Sequence, residues 1–172
     1  QLINTSCYAT FGMTETATHV ALNRLNGDSN SDVYSAVGDV LFKVDDRGCL
    51  IVQSKKREIN NLSTNDIVDK SSFRWLGRAD YVINTGGLKV YPEAIEEKLS
   101  SEFSSNYFIA SLPDSQLGEK VILLVEGEPQ NISFDSLDKY EQPKQVYFIK
   151  NFVYTETGKI QRIKTLAQLI NA

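Results

Sequence analysis

Two apolar, β-branched runs joined by a short polar segment constrain the fold of this chain more than any other feature. Val40–Val44 and Leu50–Val52 flank Asp45-Asp46-Arg47-Gly48. A glycine that follows acidic residues between two such runs is typical of a hairpin turn. We therefore predict a β-hairpin here, within a small sheet over residues 33–53. Phe73 to Val90 predicts two more short strands.

Clear helical periodicity begins only after Tyr91. Pro92 suits a first helical turn, and one face of the predicted helix is lined by Ile95, Leu99 and Phe103. Three apolar runs predict strands at Tyr107–Ser111, Val121–Val125 and Gln145–Ile149. A closing helix is predicted from the helical spacing of Ile163, Leu166, Ala167 and Ile170. The predicted fold class is therefore α+β, with a small β-sheet or barrel region followed by a compact α+β domain.

Three stretches carry weaker local signals. Thr18–Leu25 fits either a helix or an extended arm, because its pattern does not decide between the two periods. Asp28–Asp32 is predicted to be a polar loop. The composition turns polar over Lys55–Lys70.

The composition excludes several classes of protein. With 41% hydrophobic and 23% charged residues, the chain differs from collagen-like, coiled-coil and disordered sequences. A net charge of −4 disfavours a nucleic-acid partner. No apolar run is long enough for a membrane span, and no basic segment followed by an apolar run opens the chain. We therefore expect a cytoplasmic protein.

The cysteines argue against a structural zinc site. Cys7 and Cys49 are far apart, form no CxxC motif and share the chain with one histidine, His19. We expect both to be reduced, packed thiols. His19 either approaches a bound ligand or is a histidine without function.

The first candidate site is Phe11-Gly12-Met13-Thr14-Glu15-Thr16. The glycine permits close approach of the backbone to a ligand, Thr14 offers a hydroxyl to a phosphate, and Glu15 offers one carboxylate to Mg²⁺. The alternative is a turn in which Thr14 is a helix N-cap.

Three further polar elements follow along the chain. Asp66 and Arg78 offer a carboxylate and a guanidinium to the hydroxyls of a ribose, or else form an ion pair at a surface turn. Gly86-Gly87 permits positive φ beside Lys89, as an ordinary hairpin turn also requires. Lys159 follows Gly158 in a polar loop, either as a charge for phosphate oxygens or as a solvated lysine. The GxxxxGK[ST] phosphate loop is absent from the sequence.

The order and spacing of these elements resemble the adenylate-forming superfamily of acyl-CoA synthetases, peptide-synthetase adenylation domains and luciferases. Residues 11–15 are similar to its YGxTE string, 64–66 to TGD, 78–96 to RxDxxIxxxGxxVxPxEIE and 157–162 to xGKxxR. Phe11 replaces the usual tyrosine, and Asn65 replaces the glycine before the aspartate. The resemblance covers the chain from about Tyr8 to Leu169.

The resemblance implies a ligase that uses ATP, Mg²⁺ and coenzyme A to convert a carboxylic acid to an acyl adenylate and then to a thioester. It implies that Phe11 stacks on adenine, within the nucleotide-binding string that includes Gly12 and Met13. Thr14 would contact the α-phosphate and Glu15 would bind Mg²⁺. Asp66 and Arg78 would hold the ribose.

The resemblance assigns the remaining residues to a domain rotation between the two half-reactions. Lys159 would be the catalytic lysine that bridges carboxylate and phosphate oxygens during adenylation. Asp80 would be the hinge of that rotation. After it, Gly86, Gly87, Leu88 and Lys89 would replace Lys159 and line the coenzyme A tunnel.

The resemblance also implies a domain division. Residues 1–78 would end the large AMP-binding domain, and residues 79–172 would form the small mobile domain. The triphosphate loop and most of the acyl pocket would precede Gln1, so we expect negligible ligase activity from these 172 residues alone.

The acid and the acceptor are the least constrained features. Finer similarity favours an o-succinylbenzoate-CoA ligase of menaquinone synthesis. Another aryl- or acyl-CoA ligase, an adenylation domain that loads a carrier protein, and a non-catalytic nucleotide-binding relative are the alternatives. The sequence leaves the oligomeric state open.

Overall fold

A computed structural model describes residues 5–27 and 33–170. The polar loop predicted at Asp28–Asp32 lies outside the described residues. Residue contacts divide the chain into two compact units, Gln1–Asp80 and Tyr81–Ala172. None of the helices in the described ranges is long and apolar enough to cross a membrane.

The first unit contains two antiparallel sheets. The first sheet has the order β1 (Tyr8–Gly12), β2 (His19–Arg24) and β3 (Ser35–Ala36). The second has the order β4 (Leu41–Val44), β5 (Cys49–Ser54), β6 (Ile59–Val68) and β7 (Trp75–Arg78). Both sheets contribute to one apolar core, which includes Val20 from β2 and Val52 from β5. This core holds the two sheets of the unit together.

The hairpin predicted between the two apolar runs is confirmed. β4 pairs with β5, and Val44 lies opposite Leu50. The turn is closed by Asp45, whose carboxylate accepts the backbone N–H groups of Arg47 at 2.9 Å and Cys49 at 2.8 Å. These hydrogen bonds lower the pKa of Asp45, the bond from Cys49 contributing most.

Several expectations for the first unit are corrected. Thr18–Leu25 contains strand β2, so the extended alternative is confirmed and the helical one is wrong. The polar stretch Lys55–Lys70 contains the ten-residue strand β6. Much of β6 is exposed, so its polar residues face solvent and leave no apolar run to detect. β3 pairs with β2 instead of joining the sheet expected over residues 33–53. Cys49 is buried as expected, but Cys7 is exposed.

The second unit is a five-stranded sheet with two α-helices. Its strands are β8 (Ile83–Thr85), β9 (Leu88–Val90), β10 (Tyr107–Asp114), β11 (Gly118–Glu126) and β12 (Gln145–Ile149). Its helices are α1 (Pro92–Lys98) and α2 (Arg162–Ile170). β10 lies on one side of β11, and β8 and the parallel strand β12 lie on the other. The predicted strands at the positions of β10, β11 and β12 are confirmed.

Strand β11 is covered on both faces. Val121, Leu123 and Val125 pack with Ile95 and Leu99 of the α1 region. Ile122 and Leu124 face the other way and pack with α2, through Leu166 and Leu169. The run Val121–Val125 is therefore continuously apolar. The fold class is α+β, as predicted.

Helix α1 is shorter than its apolar spacing predicts. It ends at Lys98, with Leu99 as its C-cap, and does not reach Phe103. A serine-rich segment follows Leu99, and serine favours turns over helix interiors because its hydroxyl competes for backbone hydrogen bonds. Phe103 instead stacks on Tyr107 with ring centroids 4.2 Å apart.

Candidate active site

Gly12 lies where the chain folds back tightly on itself. Its register with His19 shifts relative to the preceding pair, Phe11 and Ala21. A Cβ atom on Gly12 would lie 2.7 Å from the Thr18 carbonyl oxygen and 2.9 Å from the His19 Cα atom. Only glycine fits such an approach of two backbone segments without movement.

A buried threonine holds the turn that follows. Thr14–Thr16 is a short 3₁₀ helix whose N-cap is Met13, so the expectation that Thr14 is the N-cap is wrong. The Thr16 hydroxyl accepts the Met13 N–H at 3.1 Å and lies 2.7 Å from the Thr18 carbonyl oxygen, to which it can donate. The predicted phosphate and Mg²⁺ ligands, Thr14 and Glu15, are both exposed on this turn.

Glu15, the predicted Mg²⁺ ligand, has an exposed side chain. No hydrogen bond or ion pair to its carboxylate occurs within the described ranges. Nor do those ranges hold a group of three or more His, Cys, Asp or Glu side chains arranged to bind a metal ion. Because Mg²⁺ uses one or two carboxylates together with phosphate oxygens and water, a single carboxylate fits this ion and would need the nucleotide to complete the site.

An aromatic cleft adjoins the same strand. Phe11 is half-buried and meets Tyr34 edge to face, with ring centroids 6.0 Å apart. The cleft is also lined by Phe42, Phe73 and Trp75. Phe11 therefore presents part of its ring while the rest packs against the core of the first unit.

The predicted ribose ligands lie on neighbouring strands. Asp66 of β6 is the register partner of Arg78 of β7. The Trp75 indole N–H donates to the Asp66 carboxylate at 3.2 Å. Thr64 accepts the Asp66 N–H at 3.0 Å and donates to the Leu50 carbonyl at 2.8 Å, which fixes the backbone of this strand. Trp75 is thus a common neighbour of Asp66 and of the aromatic cleft.

The Arg78 side chain bonds a different carboxylate. Its guanidinium donates to Asp80 at 2.8 Å, and the Asn65 amide donates to the same carboxylate at 3.3 Å. Arg47 donates to the Thr64 carbonyl at 3.2 Å and lies 3.5 Å from the Asn65 side-chain oxygen. Asp80, the predicted hinge, belongs to a 3₁₀ turn, Ala79–Tyr81, and is the last residue of the first unit.

In the second unit, Gly86 and Gly87 form the two-residue turn between β8 and β9. Their φ angles are +56° and +80°, so both residues occupy the left-handed region that a tight hairpin turn requires. The Gly86 N–H donates to the Leu117 carbonyl at 2.9 Å. Leu88 and Lys89 are exposed on the edge strand β9.

Lys159 projects from a closed loop that precedes α2. Tyr154 and Ile160 pair across the base of this loop. Inside it, the Thr155 N–H donates to the Lys159 carbonyl at 2.8 Å, and the Lys159 N–H donates to the Thr155 hydroxyl at 3.0 Å. The Lys159 side chain is exposed. The loop is thus ordered by its own backbone while its lysine faces solvent.

Just beyond this loop lies a charged contact that the sequence did not reveal. Arg162 bonds Glu96 through both guanidinium arms, each at 2.7 Å, and lies over the rings of Tyr81 and Phe108. Glu96 also accepts the Ile109 N–H at 2.8 Å. Burial raises the pKa of Glu96 although Arg162 and Ile109 act to lower it. Both residues belong to the quoted motif strings, but their separation along the chain conceals the pairing.

The structure groups the predicted residues by unit. Phe11, Asp66 and Arg78 lie in the first unit. Trp75 lines the same cleft as Phe11 and donates to Asp66, and no sequence pattern indicated these contacts. The Gly86–Lys89 turn and Lys159 lie in the second unit on separate loops. His19 is exposed and its ring nitrogen lies 3.3 Å from the Thr18 hydroxyl.

No family model matches the chain. A solved structure of an acyl-CoA synthetase (AMP-forming)/AMP-acid ligase II-like protein from Dyadobacter fermentans is 33% identical, with a TM-score of 0.51. The match covers 97% of this chain and 52% of that one. The comparisons support the superfamily of AMP-forming ligases.

Two curated relatives agree with this superfamily. Human acyl-coenzyme A synthetase ACSM2B, mitochondrial, is 33% identical over an alignment 107 positions long, which covers 54% of this chain and 18% of the relative. The 2-succinylbenzoate–CoA ligase of Listeria monocytogenes is 28% identical over an alignment 183 positions long, which covers 90% of this chain and 39% of the relative. These relatives are enzymes, and the chain matches less than half of the length of each.

Proposed function

We propose that this chain belongs to an ATP-dependent acid–CoA ligase that forms an acyl adenylate and then an acyl-CoA thioester. The observation that carries the proposal is the 33% identity to an AMP-forming ligase-like structure over 97% of the chain. The four motif strings lie within that length in their expected order. The proposed cofactor and substrates are Mg²⁺, ATP, coenzyme A and a small carboxylic acid, and the proposed compartment is the cytoplasm.

In the proposed first step, a carboxylate oxygen attacks the α-phosphorus of ATP, and the bond from that phosphorus to the pyrophosphate oxygen breaks. Asp66 would accept hydrogen bonds from ribose hydroxyls, and Arg78 would donate from the neighbouring strand. Phe11 would face the adenine, with Gly12 and Met13 beside it. Thr14 would contact the α-phosphate, and Glu15 would hold Mg²⁺, which neutralises phosphate charge when bound.

Lys159 would bridge the attacking carboxylate and the α-phosphate during that step. An ammonium group there stabilises the negative charge that develops in the transition state. In the second step the thiol sulfur of coenzyme A attacks the acyl carbon, and the carbon–oxygen bond to AMP breaks. The Gly86–Lys89 turn is the proposed neighbour of the thiol, and Asp80 the proposed hinge between the two arrangements.

The proposed acid is o-succinylbenzoate. This choice is supported by the Listeria relative, whose match extends over 90% of this chain. Human ACSM2B matches over 54% and supports the alternative, another acyl- or aryl-CoA ligase. A carrier protein as acceptor remains the second alternative.

The test uses the complete protein encoded by the gene that carries this chain. AMP release is measured with Mg-ATP, coenzyme A and, in parallel, o-succinylbenzoate, benzoate or octanoate. Lys159→Ala is expected to lower release by roughly 10²- to 10³-fold, since it removes one preorganised charge from the transition state. Lys164→Ala is the matched control, because Lys164 is also exposed and lies on the helix that follows.

The outcomes separate the proposals. Release that is selective for o-succinylbenzoate, lost in Lys159→Ala and kept in Lys164→Ala supports both the reaction and the acid. Release with octanoate or benzoate alone retains the reaction and rejects o-succinylbenzoate. No release with any of the three acids counts against the ligase and favours the carrier-loading or non-catalytic alternative.

A further inference from the structure

The two exposed loops with proposed catalytic roles are tied to opposite ends of one strand. Glu119 is the second residue of β11, and Glu126 is its last. At about 3.3 Å per residue, their positions lie roughly 23 Å apart along the strand. Between them β11 is buried on both faces, so the strand separates the two anchors rigidly.

At one end of β11, the Glu119 side chain bonds the strand that leads into the turn between β8 and β9. One carboxylate oxygen of Glu119 accepts the Asn84 N–H at 2.8 Å, and the other accepts the Ser111 hydroxyl at 2.7 Å. β8 meets β11 at one register pair, Thr85 with Gly118. A Cβ atom placed on Gly87 would meet no atom within 4 Å, whereas one on Gly86 would lie 3.3 Å from the Leu117 side chain. Glu119 therefore adds a hydrogen bond at Asn84 to the bond that Gly86 makes with Leu117.

At the other end of β11, the Glu126 side chain bonds residues that lead into the Lys159 loop. Glu126 accepts the Phe152 N–H at 2.7 Å and a short hydrogen bond from the Tyr154 hydroxyl. Asn106 donates to the same hydroxyl at 2.8 Å and to Glu126 at 2.9 Å. Burial acts to raise the pKa of Glu126, but the hydrogen bonds from Tyr154, Asn106 and Phe152 bring it below its ordinary value.

The Tyr154 hydroxyl is thus the side-chain link between the base of the Lys159 loop and β11. The loop tip lacks packing, since a Cβ atom on Gly158 would meet nothing within 4 Å. A hydroxyl that both donates and accepts can hold its ring in one place more firmly than packing alone. The Tyr154 hydroxyl thus ties the base of the Lys159 loop to Glu126 of β11, in addition to the hydrogen bonds within the loop.

We propose that Tyr154 and Glu119 are positioning residues for different half-reactions. Tyr154 positions the Lys159 loop for adenylation, and Glu119 positions the Gly86–Lys89 turn for thioester formation. The inference rests on the proposed ligase function. Because the two anchors lie at opposite ends of a rigid strand, loss of one leaves the other in place.

The experiment measures the half-reactions separately in the complete protein. Adenylation is followed by exchange of labelled pyrophosphate into ATP without coenzyme A, using the acid that gives most AMP release among o-succinylbenzoate, benzoate and octanoate. Thioester formation is followed by single-turnover transfer from the preformed adenylate of that acid to coenzyme A. Tyr154→Phe should slow only the exchange, and Glu119→Ala only the transfer, each by roughly tenfold.

Each variant has a matched control. Tyr147→Phe removes a hydroxyl from the same core cluster, but among the described residues that hydroxyl bonds Gln145 alone, two residues away. Ser111→Ala removes one partner of Glu119 and leaves its bond to Asn84. Both controls should keep both half-reactions within about twofold. Glu119→Gln should restore the transfer, because an amide oxygen still accepts from Asn84 and the amide nitrogen donates to Ser111.

Amide hydrogen exchange gives a readout that does not depend on activity. Tyr154→Phe should speed exchange in a peptide over residues 155–159 by roughly tenfold, and Glu119→Ala in a peptide over residues 84–88. A variant that slows both half-reactions equally, or that changes neither its half-reaction nor its peptide, would overturn the inference. If the unsubstituted protein releases no AMP, the two catalytic assignments fail with the ligase. Amide hydrogen exchange still shows whether Tyr154 and Glu119 anchor their loops.

Discussion

Arg78 in the first unit and Arg162 in the second each bond a carboxylate, at 2.8 and 2.7 Å, yet their surroundings differ. The Arg78 and Asp80 side chains are 44% and 49% exposed, whereas those of Arg162 and Glu96 are 23% and 16% exposed. Arg78 lies in a surface network with Asn65 and Asp80. Arg162 instead lies over two aromatic rings and bonds Glu96 through both arms.

This difference in exposure implies different roles for the two ion pairs. An exposed pair contributes little to stability, because water screens it and two long side chains must be ordered. The Arg78 guanidinium can therefore exchange its bond to Asp80 for a bond to a ligand at a small cost in free energy, as its proposed contact with the ribose requires. A half-buried pair is costly to break, because one charge is left without a partner. Arg162 is thus suited to holding α2 and α1 on the same sheet.

The largest effect is expected from Arg162→Met. This change leaves Glu96 buried without its counter-charge, and it should lower the unfolding free energy of the second unit by about 2 to 3 kcal/mol at neutral pH. Native-state hydrogen exchange of peptides from β11 measures that energy. Because Arg162 opposes the upward shift of the Glu96 pKa, its loss raises that pKa further. The destabilisation should therefore grow as pH rises through the Glu96 pKa and shrink below it.

A double variant sharpens this expectation. Glu96→Gln combined with Arg162→Met removes both charges and keeps an acceptor for the Ile109 N–H. It should recover at least about 1 kcal/mol relative to Arg162→Met alone. Equal losses in the single and double variants would show that packing of the arginine on Tyr81 and Phe108 matters more than its charge.

A smaller, pH-dependent effect is expected from Asp69 in the first unit. Its Oδ1 atom accepts the N–H and hydroxyl groups of both Ser71 and Ser72. The two hydroxyl bonds contribute most to lowering the pKa of Asp69 from 3.8 to about 2. A carboxyl group with a lowered folded pKa stabilises the fold above its unfolded pKa, and this contribution is lost as pH falls from 3.8 toward about 2.

Asp69→Asn tests that assignment. The variant should be less stable than the original protein near pH 6, and the gap should close as pH falls toward 2. Denaturation of the first unit can be followed by the fluorescence of Trp75, the single tryptophan of the chain. A gap that stays constant across this range would contradict the role of the ionised carboxylate.

The smallest effect is expected from Arg78→Met, the same substitution as Arg162→Met in an exposed setting. It should change the unfolding free energy of the first unit by about 1 kcal/mol or less. Trp75 fluorescence again reports the transition. A loss as large as that of Arg162→Met would mean that the surface network contributes more than its exposure suggests, and the comparison between the two pairs would fail.

Much of the fold was predictable because its signals are local. The hairpin around Asp45–Gly48 and the strand Val121–Val125 follow from turn chemistry and from apolar runs that bury both faces of a strand. Strand β6 was missed because its exposed face is polar, and only pairing with β5 and β7 reveals it. Helix α1 is shorter than predicted because apolar spacing alone does not mark where a helix ends.

The sequence by itself determined the order of the motif residues and the resemblance to adenylate-forming enzymes, because residue types and their spacing are written along the chain. Only the tertiary structure decided which polar side chains meet. Asp80 accepts a bond from Asn65, Glu96 meets Arg162, and Tyr154 bonds Glu126. Such contacts join residues that are distant in sequence, so they depend on how sheets and helices pack rather than on any local pattern.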